Sequence, residues 1–94
     1  MKLISNKALR DFAALHPEAD APLQAFRRVI EKGGFDNFAQ LKACFASVDK
    51  VGPVYVFNIG GNKYRLIAGL SFQAQRLWVK AVLTHGEYDQ EKWK

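Results

Sequence analysis

The stretch VFNIGGNKYRLIAGL, residues 56–70, contains two apolar runs on either side of a Gly-Gly pair. Gly60 and Gly61 suit the two-residue turn of a β-hairpin, which requires positive φ angles. This turn would place Ile59 opposite Asn62. Lys63 and Arg65 lie two residues apart at the start of the second strand, so their side chains should point to the same face of the sheet. The stretch therefore predicts a hairpin with a basic face.

The second half of the chain has the alternating pattern of β-strands. We expect strands at residues 54–59, 62–72 and 76–84. The predicted register places on one face, to be covered by helices, Phe57, Tyr64, Leu66, Ala68, Leu70, Leu77, Val79, Ala81 and Leu83. The opposite face would carry Val56, Asn58, Lys63, Arg65, Trp78 and Lys80. By the same register, Arg65 lies near Lys80 or Val82.

The first half of the chain predicts a short strand and three helices, at residues 2–4, 6–16, 23–32 and 37–45. Ser5 and Asp20 are candidates for capping the first two helices, and Gly33-Gly34 ends the second. The fold class is therefore α+β: an antiparallel sheet with the N-terminal helices packed on one face and a basic face left open.

Length and charge indicate what kind of partner the protein has. The 94 residues suit one domain over residues 1–94. Lys and Arg total 14 against 9 Asp and Glu, giving a net charge of +5. This excess favours a polyanionic partner, which could be nucleic acid, an acidic protein or a membrane surface. The alternative is a basic surface without a function.

The cysteine content and the hydropathy of the chain indicate the cellular compartment of the protein. The chain has one cysteine, Cys44, which excludes an intrachain disulfide and fits a reducing cytosol. The N-terminus lacks the apolar segment of a signal peptide, and no apolar run approaches the length of a membrane span. We therefore expect a cytoplasmic protein with no membrane partner.

An open sheet face with cations and an aromatic residue is typical of single-stranded RNA binding. Arg65, Lys63 and Lys80 would hold phosphates, Trp78 would stack on a base, and Asn58 lies on the same face. The alternative is a solvated face, since antiparallel sheets commonly expose one side and strand cations protect edges against aggregation.

The C-terminal stretch THGEYDQEKWK begins where the third strand of this meander ends. His85 exchanges a proton near neutral pH, and Tyr88 does so when its environment shifts its pKa. Glu87 and Asp89 are placed either to orient His85 or to pair with the basic face. A structural role for His85 and Tyr88 is the alternative.

The sequence lacks the motifs of several other kinds of functional site. Two histidines and one cysteine give no zinc-binding spacing. The phosphate-binding P-loop and the Gly-x-Ser-x-Gly nucleophile elbow are both absent. We expect no metal and no cofactor.

The whole chain resembles the HigB-type toxins of bacterial toxin–antitoxin pairs, within the RelE-like superfamily of mRNA interferases. The resemblance is carried by four segments, LISNKAL, LKACFASVD, YVFNIGGNKYRLIA and VLTHGEYD. It implies a RelE-like microbial RNase fold and cleavage of mRNA in the ribosomal A site. It also implies neutralisation by a cognate antitoxin, usually a helix-turn-helix protein of the HigA kind.

The resemblance also implies roles for individual residues. Such enzymes use no metal, and the ribose 2′-OH attacks the adjacent phosphate. Arg65 matches the phosphate-binding arginine of the superfamily, and Lys63 and Lys80 would add charge and hold substrate, with Lys80 counted among the catalytic residues. His85 and Tyr88 match the C-terminal basic residue and tyrosine, and one of them, preferably His85, would be the general acid or base. The cations are fewer than in well-known superfamily members, so dependence on the ribosome is expected.

Two other functions fit the same basic face. A non-catalytic nucleic-acid-binding protein would tolerate the loss of His85 and Tyr88 but not of several cations. A protein that docks an acidic partner would lose binding as salt rises and would give no RNA cleavage product.

Overall fold

A computed structural model describes residues 1–90 of the protein. The chain forms, in order, β1 (Lys2–Ile4), α1 (Asn6–Leu15), a 3₁₀ turn (Pro17–Ala19), α2 (Asp20–Lys32), α3 (Phe38–Cys44), β2 (Asp49–Val51), β3 (Val54–Ile59), β4 (Tyr64–Ser71), β5 (Arg76–Thr84) and α4 (His85–Asp89). Among residues 1–90, no helix has the length and apolar character needed to cross a membrane.

The strands form one five-stranded sheet in the order β1-β5-β4-β3-β2. From β2 to β5, each strand pairs antiparallel with the next, and the pairings of β3 with β4 and of β4 with β5 were expected. β1 differs, because it pairs parallel with β5. β2 was not anticipated, since Asp49 and Lys50 are charged and exposed and the segment has no apolar run. The α+β class is confirmed, with a sheet that is mostly rather than wholly antiparallel.

The hydrophobic core lies between the N-terminal helices and one face of the sheet, as predicted. α2 contributes buried side chains at helical spacing, Leu23, Phe26 and Ile30, and α1 and α3 contribute one each, Leu9 and Leu41. These pack against the sheet residues Phe57, Leu66, Ala68 and Leu77. Aromatic rings close the centre, where Phe57 contacts Phe26 and Phe45.

The boundaries of α1 and α3 agree with the predictions to within one residue, whereas α2 begins three residues earlier than predicted and two caps differ. Ser5 precedes α1 without donating or accepting a capping hydrogen bond through its side chain, and its φ of 75° is left-handed. Asp20 is the first residue of α2 rather than its cap, because the 3₁₀ turn starts the helix earlier. Asn37 caps α3 by accepting a hydrogen bond from the Gln40 N–H.

The turn between β3 and β4 is longer than predicted. Ile59 pairs with Tyr64 rather than Asn62, so the loop has four residues, from Gly60 to Lys63. Gly60 and Gly61 both have positive φ, as expected. Because the shift is two residues, each side chain keeps its predicted face. Lys63, however, lies in the turn and not on the strand.

A β-bulge changes the predicted faces of β5. The register steps from Ile67–Ala81 to Ala68–Val79, which leaves Lys80 as the extra residue. Beyond this point Val82 and Thr84 face the helices, whereas Ala81 and Leu83 were predicted to do so. The predicted neighbour of Arg65 was therefore wrong, since Arg65 lies opposite Leu83.

The face away from the N-terminal helices is less open than predicted. Val56, Ile67 and Arg65 on this face are all buried. The short helix α4 contacts β4 and β5, the strands that carry this face. It is therefore a partly covered surface and not an exposed basic platform.

Candidate active site

Arg65 is the charged residue at the centre of the candidate site. It is the second residue of β4 and is only 8% exposed. Its Nη1 donates to the carbonyl oxygens of Asn62 at 3.3 Å and of Tyr64 at 3.2 Å. Its Nη2 donates to Asn62 Oδ1 at 2.7 Å. The guanidinium is therefore held by the turn that precedes its own strand.

Asn62 is a site residue that the sequence reasoning missed. It accepts hydrogen bonds from Arg65 through both its carbonyl and its side-chain amide oxygen. These two contacts explain why the turn contains four residues, because pairing Asn62 with Ile59 would take it out of this conformation. A polar residue three positions before an arginine in a Gly-Gly turn was the available signal.

The helix α4 brings the C-terminal residues to Arg65. Thr84 caps this helix with a capping box: its hydroxyl accepts from the Glu87 N–H, and the Glu87 carboxylate accepts from the Thr84 N–H. The His85 N–H donates to the Lys63 carbonyl at 3.0 Å, which joins the helix to the turn. No helix was predicted for this C-terminal stretch, so the helical conformation of His85–Asp89 is a correction.

His85 contacts Arg65 directly. Its Nδ1 lies 3.0 Å from Arg65 Nη2. Because a guanidinium can only donate, the imidazole Nδ1 accepts this hydrogen bond. The other ring nitrogen, Nε2, lies 3.2 Å from Asp89 Oδ2, one helical turn further along.

Tyr88 completes the cluster, and its aromatic ring lies beside the guanidinium. Arg65 Cζ is 5.5 Å from the centroid of the Tyr88 ring, which is within range of a cation–π interaction. The structure thus brings together three of the predicted catalytic residues, Arg65, His85 and Tyr88. We call these three residues, with Asn62 and Asp89, the Arg65 cluster.

Two predicted substrate-binding residues lie beside this cluster. Asn58 pairs with Arg65 across the β3–β4 ladder, and directly opposed residues have Cβ atoms about 5 Å apart. Lys63 is exposed in the turn, and its carbonyl accepts from the His85 N–H. Its charge acts on Glu18, whose pKa is lowered first by the Tyr64 hydrogen bond and in smaller part by Lys63. Asn58 thus adjoins the cluster, whereas a contact of the Lys63 side chain with substrate stays a prediction.

Trp78 and Lys80 lie away from the Arg65 cluster. Trp78 pairs with Gly69, four residues along β4 from Arg65, or about 13 Å. Its indole covers Gly69 so closely that an added Cβ would lie 2.3 Å from the ring. Lys80 borders an apolar groove of about 430 Å³ with Pro53, Ile67 and Ala81. Contacts of these two residues with substrate remain predictions.

A second polar cluster lies on the opposite face, beside the helices. The Tyr64 hydroxyl donates to Glu18 Oε1 at 2.7 Å. This hydrogen bond lowers the pKa of the Glu18 carboxyl and raises the pKa of the Tyr64 hydroxyl. Because Tyr64 precedes Arg65 and its carbonyl accepts from it, the pair anchors the start of β4.

The described residues, 1–90, contain no group of three or more His, Cys, Asp and Glu side chains arranged to hold a metal ion. The groups that converge in the Arg65 cluster are a guanidinium, an imidazole, a phenol, an amide and a carboxylate. Such groups bind an anion and move protons.

A family profile and several characterised proteins match this chain. The profile of the HigB toxin family, described as the RelE-like toxic component of a toxin-antitoxin system, matches residues 19–91. The chain is 41% identical over 92 residues to the mRNA interferase toxin HigB of Escherichia coli (strain K12), covering 95% of this chain and 88% of that protein.

Two further relatives extend the comparison. The mRNA interferase HigB of Shigella flexneri has the same identity and coverage, 41% over 92 residues, 95% of this chain and 88% of the relative. The mRNA interferase HigB of Escherichia coli O6:H1 is 30% identical over 92 residues, covering 95% of this chain and 89% of the relative. The profile and the relatives span the segments that form the Arg65 cluster, and the chain belongs to the HigB family of RelE-like toxins.

Proposed function

We propose that this chain is an endoribonuclease that cleaves mRNA and thereby inhibits translation, as the toxin of a toxin–antitoxin pair. The observation that carries the proposal is the contact of Arg65 with His85 and Tyr88 in a member of the HigB family. An anion-binding group next to two groups that transfer protons is what RNA cleavage without a metal requires.

The reaction is an internal transfer of the phosphodiester. The ribose 2′-oxygen bonds to phosphorus as its proton passes to a base, and the bond to the 5′-oxygen breaks as that oxygen gains a proton. The products are a 2′,3′-cyclic phosphate and a free 5′-OH. Arg65 stabilises the negative charge that collects on the phosphoryl oxygens, and His85 or Tyr88 serves as acid or base.

Arg65 must release part of its present contacts to bind a phosphate. Four of its five N–H groups have acceptors in the protein: two on Asn62 in the turn, one on the Tyr64 carbonyl at the start of β4, and one on His85. The His85 contact is the one a phosphate displaces, since that side chain is about half exposed and the turn is held by its own backbone. Displacement frees the Nδ1 lone pair beside the phosphate, where it takes the 2′-OH proton.

The small number of cations near Arg65 favours a reaction on the ribosome. Lys63 lies in the adjoining turn and Lys80 lies further along the sheet face. Each adds a charge that attracts RNA, with Asn58 and Trp78 as further substrate contacts. Because these groups are spread out, ribosomal RNA supplies the remaining positioning of the mRNA.

Membership of the family implies an antitoxin partner. We infer that this partner is a helix-turn-helix protein of the HigA kind, encoded beside the toxin. The substrate and the ribosome place the activity in the cytoplasm, within one domain that spans residues 1–94.

Expression of the chain in a bacterium tests the proposal. The wild type should stop growth and translation within minutes of induction and leave mRNAs cut within reading frames. Co-expression of the neighbouring gene should restore growth. Soluble, intact protein with normal translation would contradict the toxin assignment.

One observation favours a second function. The nearly complete hydrogen bonding of Arg65 also suits a structural arginine in a module that binds RNA or an acidic partner without cleaving it. Such a protein would bind ribosomes or its partner in a salt-dependent manner and leave mRNA intact.

A further inference from the structure

The imidazole of His85 lies between a guanidinium and a carboxylate. Nδ1 is 3.0 Å from Arg65 Nη2, and Nε2 is 3.2 Å from Asp89 Oδ2. His85 and Asp89 are four residues apart on α4, a spacing that places two side chains on the same face of a helix. Both ring nitrogens therefore have a charged partner. The partner of Nδ1 can only donate a hydrogen bond, and the carboxylate beside Nε2 can only accept one.

These partners determine which nitrogen carries the proton. The guanidinium has no acceptor, so Nδ1 must offer its lone pair. In a neutral imidazole the proton is then on Nε2, from which it is donated to Asp89. The contacts of His85 with Arg65 and with Asp89 thus both favour the Nε2–H tautomer.

We propose that Asp89 is a positioning residue that holds His85 in the Nε2–H tautomer, with the Nδ1 lone pair directed at Arg65. The proposal rests on the proposed function, in which that lone pair takes the 2′-OH proton. Asp89 itself touches neither the phosphate nor the 2′-OH.

Once substrate is bound, Asp89 alone determines which ring nitrogen of His85 carries the proton. A phosphate that takes the place of His85 on Arg65 removes the group that specifies the tautomer from the Nδ1 side. The Asp89 carboxylate then remains to keep the proton on Nε2. When Nδ1 gains the 2′-OH proton, the ring becomes an imidazolium, and the carboxylate stabilises its positive charge.

The other acid of α4 provides a matched control. Glu87 carries the same charge on the same short helix, but its carboxylate accepts from the Thr84 N–H in the capping box. Glu87→Gln removes one negative charge and keeps an oxygen that can accept this bond. It separates loss of charge on α4 from loss of the His85 contact.

The first experiment measures the tautomer in the full chain, without ribosomes. ¹⁵N-histidine spectra of the wild type, Asp89→Asn and Glu87→Gln are recorded above neutral pH, with His16→Gln to assign the signals. The wild type and Glu87→Gln should show a protonated Nε2 and an unprotonated Nδ1. The same comparison is made in an Arg65→Ala background, which removes the donor to Nδ1 as a bound phosphate would. There the ring should keep its proton on Nε2 while Asp89 is present and should gain the Nδ1–H form in Asp89→Asn, because an amide can also donate to Nε2. A wild-type ring protonated on Nδ1, or an Asp89→Asn change that has no effect in the Arg65→Ala background, would overturn the proposal.

The second experiment measures single-turnover cleavage of mRNA on ribosomes by the same variants and by Asp89→Glu. Asp89→Asn should lose about tenfold in rate with unchanged ribosome affinity. This is far less than the ~10⁴-fold loss for a buried triad aspartate, because the Asp89 side chain is 60% exposed. Asp89→Glu should recover most of the rate, and Glu87→Gln should keep it.

The two experiments separate the inference from the function on which it rests. A wild type that does not cleave mRNA would refute the proposed function, whereas the tautomer is decided by the spectra alone. A wild type that cleaves while Asp89→Asn keeps its full rate would overturn the positioning role.

Discussion

Replacing Arg65 with alanine removes the anion-binding group of the candidate active site. Arg65 Nη2 is the donor that His85 contacts at 3.0 Å, and it marks where a phosphate would bind. Loss of one preorganised donor to a developing oxyanion costs about 100- to 1000-fold in rate. We expect a loss of that size for Arg65→Ala. Arg65→Lys should recover part of the rate, because an ammonium keeps the charge without the planar fork.

The same substitution also affects stability. Arg65 is buried, and its removal leaves two carbonyl oxygens, the Asn62 amide oxygen and the His85 Nδ1 without their donor. Unsatisfied acceptors of this kind cost about 1–3 kcal/mol where water does not replace the donor. In a domain of this size each kcal/mol lowers Tm by roughly 4–8 °C. We therefore expect an Arg65→Ala variant that folds but is less stable than the wild type.

The assay is single-turnover cleavage of mRNA on ribosomes, run well below the melting temperature of each variant. Arg76→Ala is the matched control, since Arg76 is an exposed arginine at the far end of β5. It should cleave at the wild-type rate. A folded Arg65→Ala variant that cleaves within about threefold of the wild type would refute the reasoning, given the 100-fold loss expected.

Three further predictions follow from other contacts. Lys80→Ala should reduce the salt slope of ribosome binding by about one unit if Lys80 contacts a phosphate, and an unchanged slope would exclude that contact. Tyr64→Phe removes the hydrogen bond that lowers the Glu18 pKa. Because a lowered carboxyl pKa stabilises the fold above the usual value of 4.5, the stability difference from the wild type should shrink as pH falls below 4.5 in pH-dependent denaturation. A constant difference would contradict this. Gly69→Ala should destabilise by about 1–3 kcal/mol in thermal melting, because the new Cβ meets the Trp78 indole. The same change in a Trp78→Ala background should cost much less, and equal costs would refute the steric explanation.

The faces of the central strands could be predicted from the sequence because side chains alternate along a strand. Phe57 and Leu66 were placed on the covered face, where both are buried. The prediction of the faces was correct even though the predicted turn was two residues too short, since a shift of two residues preserves the alternation of side chains. The turn length itself depends on Arg65 holding Asn62, a side-chain contact that strand alternation does not describe and that only the spacing of the two residues could have suggested.

Two other features depend on contacts that are distant in sequence. The bulge at Lys80 shows only in the pairing of β4 with β5. β1 lies at the other end of the chain, and its parallel pairing with β5 is likewise a contact between distant segments. α4 was also missed, although Thr84 and Glu87 have the local spacing of a capping box.

The candidate site was predictable in part. The resemblance to HigB-type toxins pointed to Arg65, His85 and Tyr88, and the structure brings them together. Strand alternation also predicted Trp78 and Lys80 on the same sheet face as Arg65. Residues that share a face can still lie far apart along the strands, and alternation does not reveal that distance. Asn62 takes part through a turn whose conformation the alternating pattern does not describe.

The central claim is that this chain cuts mRNA by attack of the 2′-OH at the Arg65 cluster. The most direct test is to add the purified protein to ribosomes holding a defined mRNA and to identify the ends of the RNA. We predict a cut in the A-site codon that leaves a 2′,3′-cyclic phosphate and a 5′-OH, with little cutting of the same mRNA alone. Intact mRNA, or fragments that carry a 5′-phosphate, would contradict the claim.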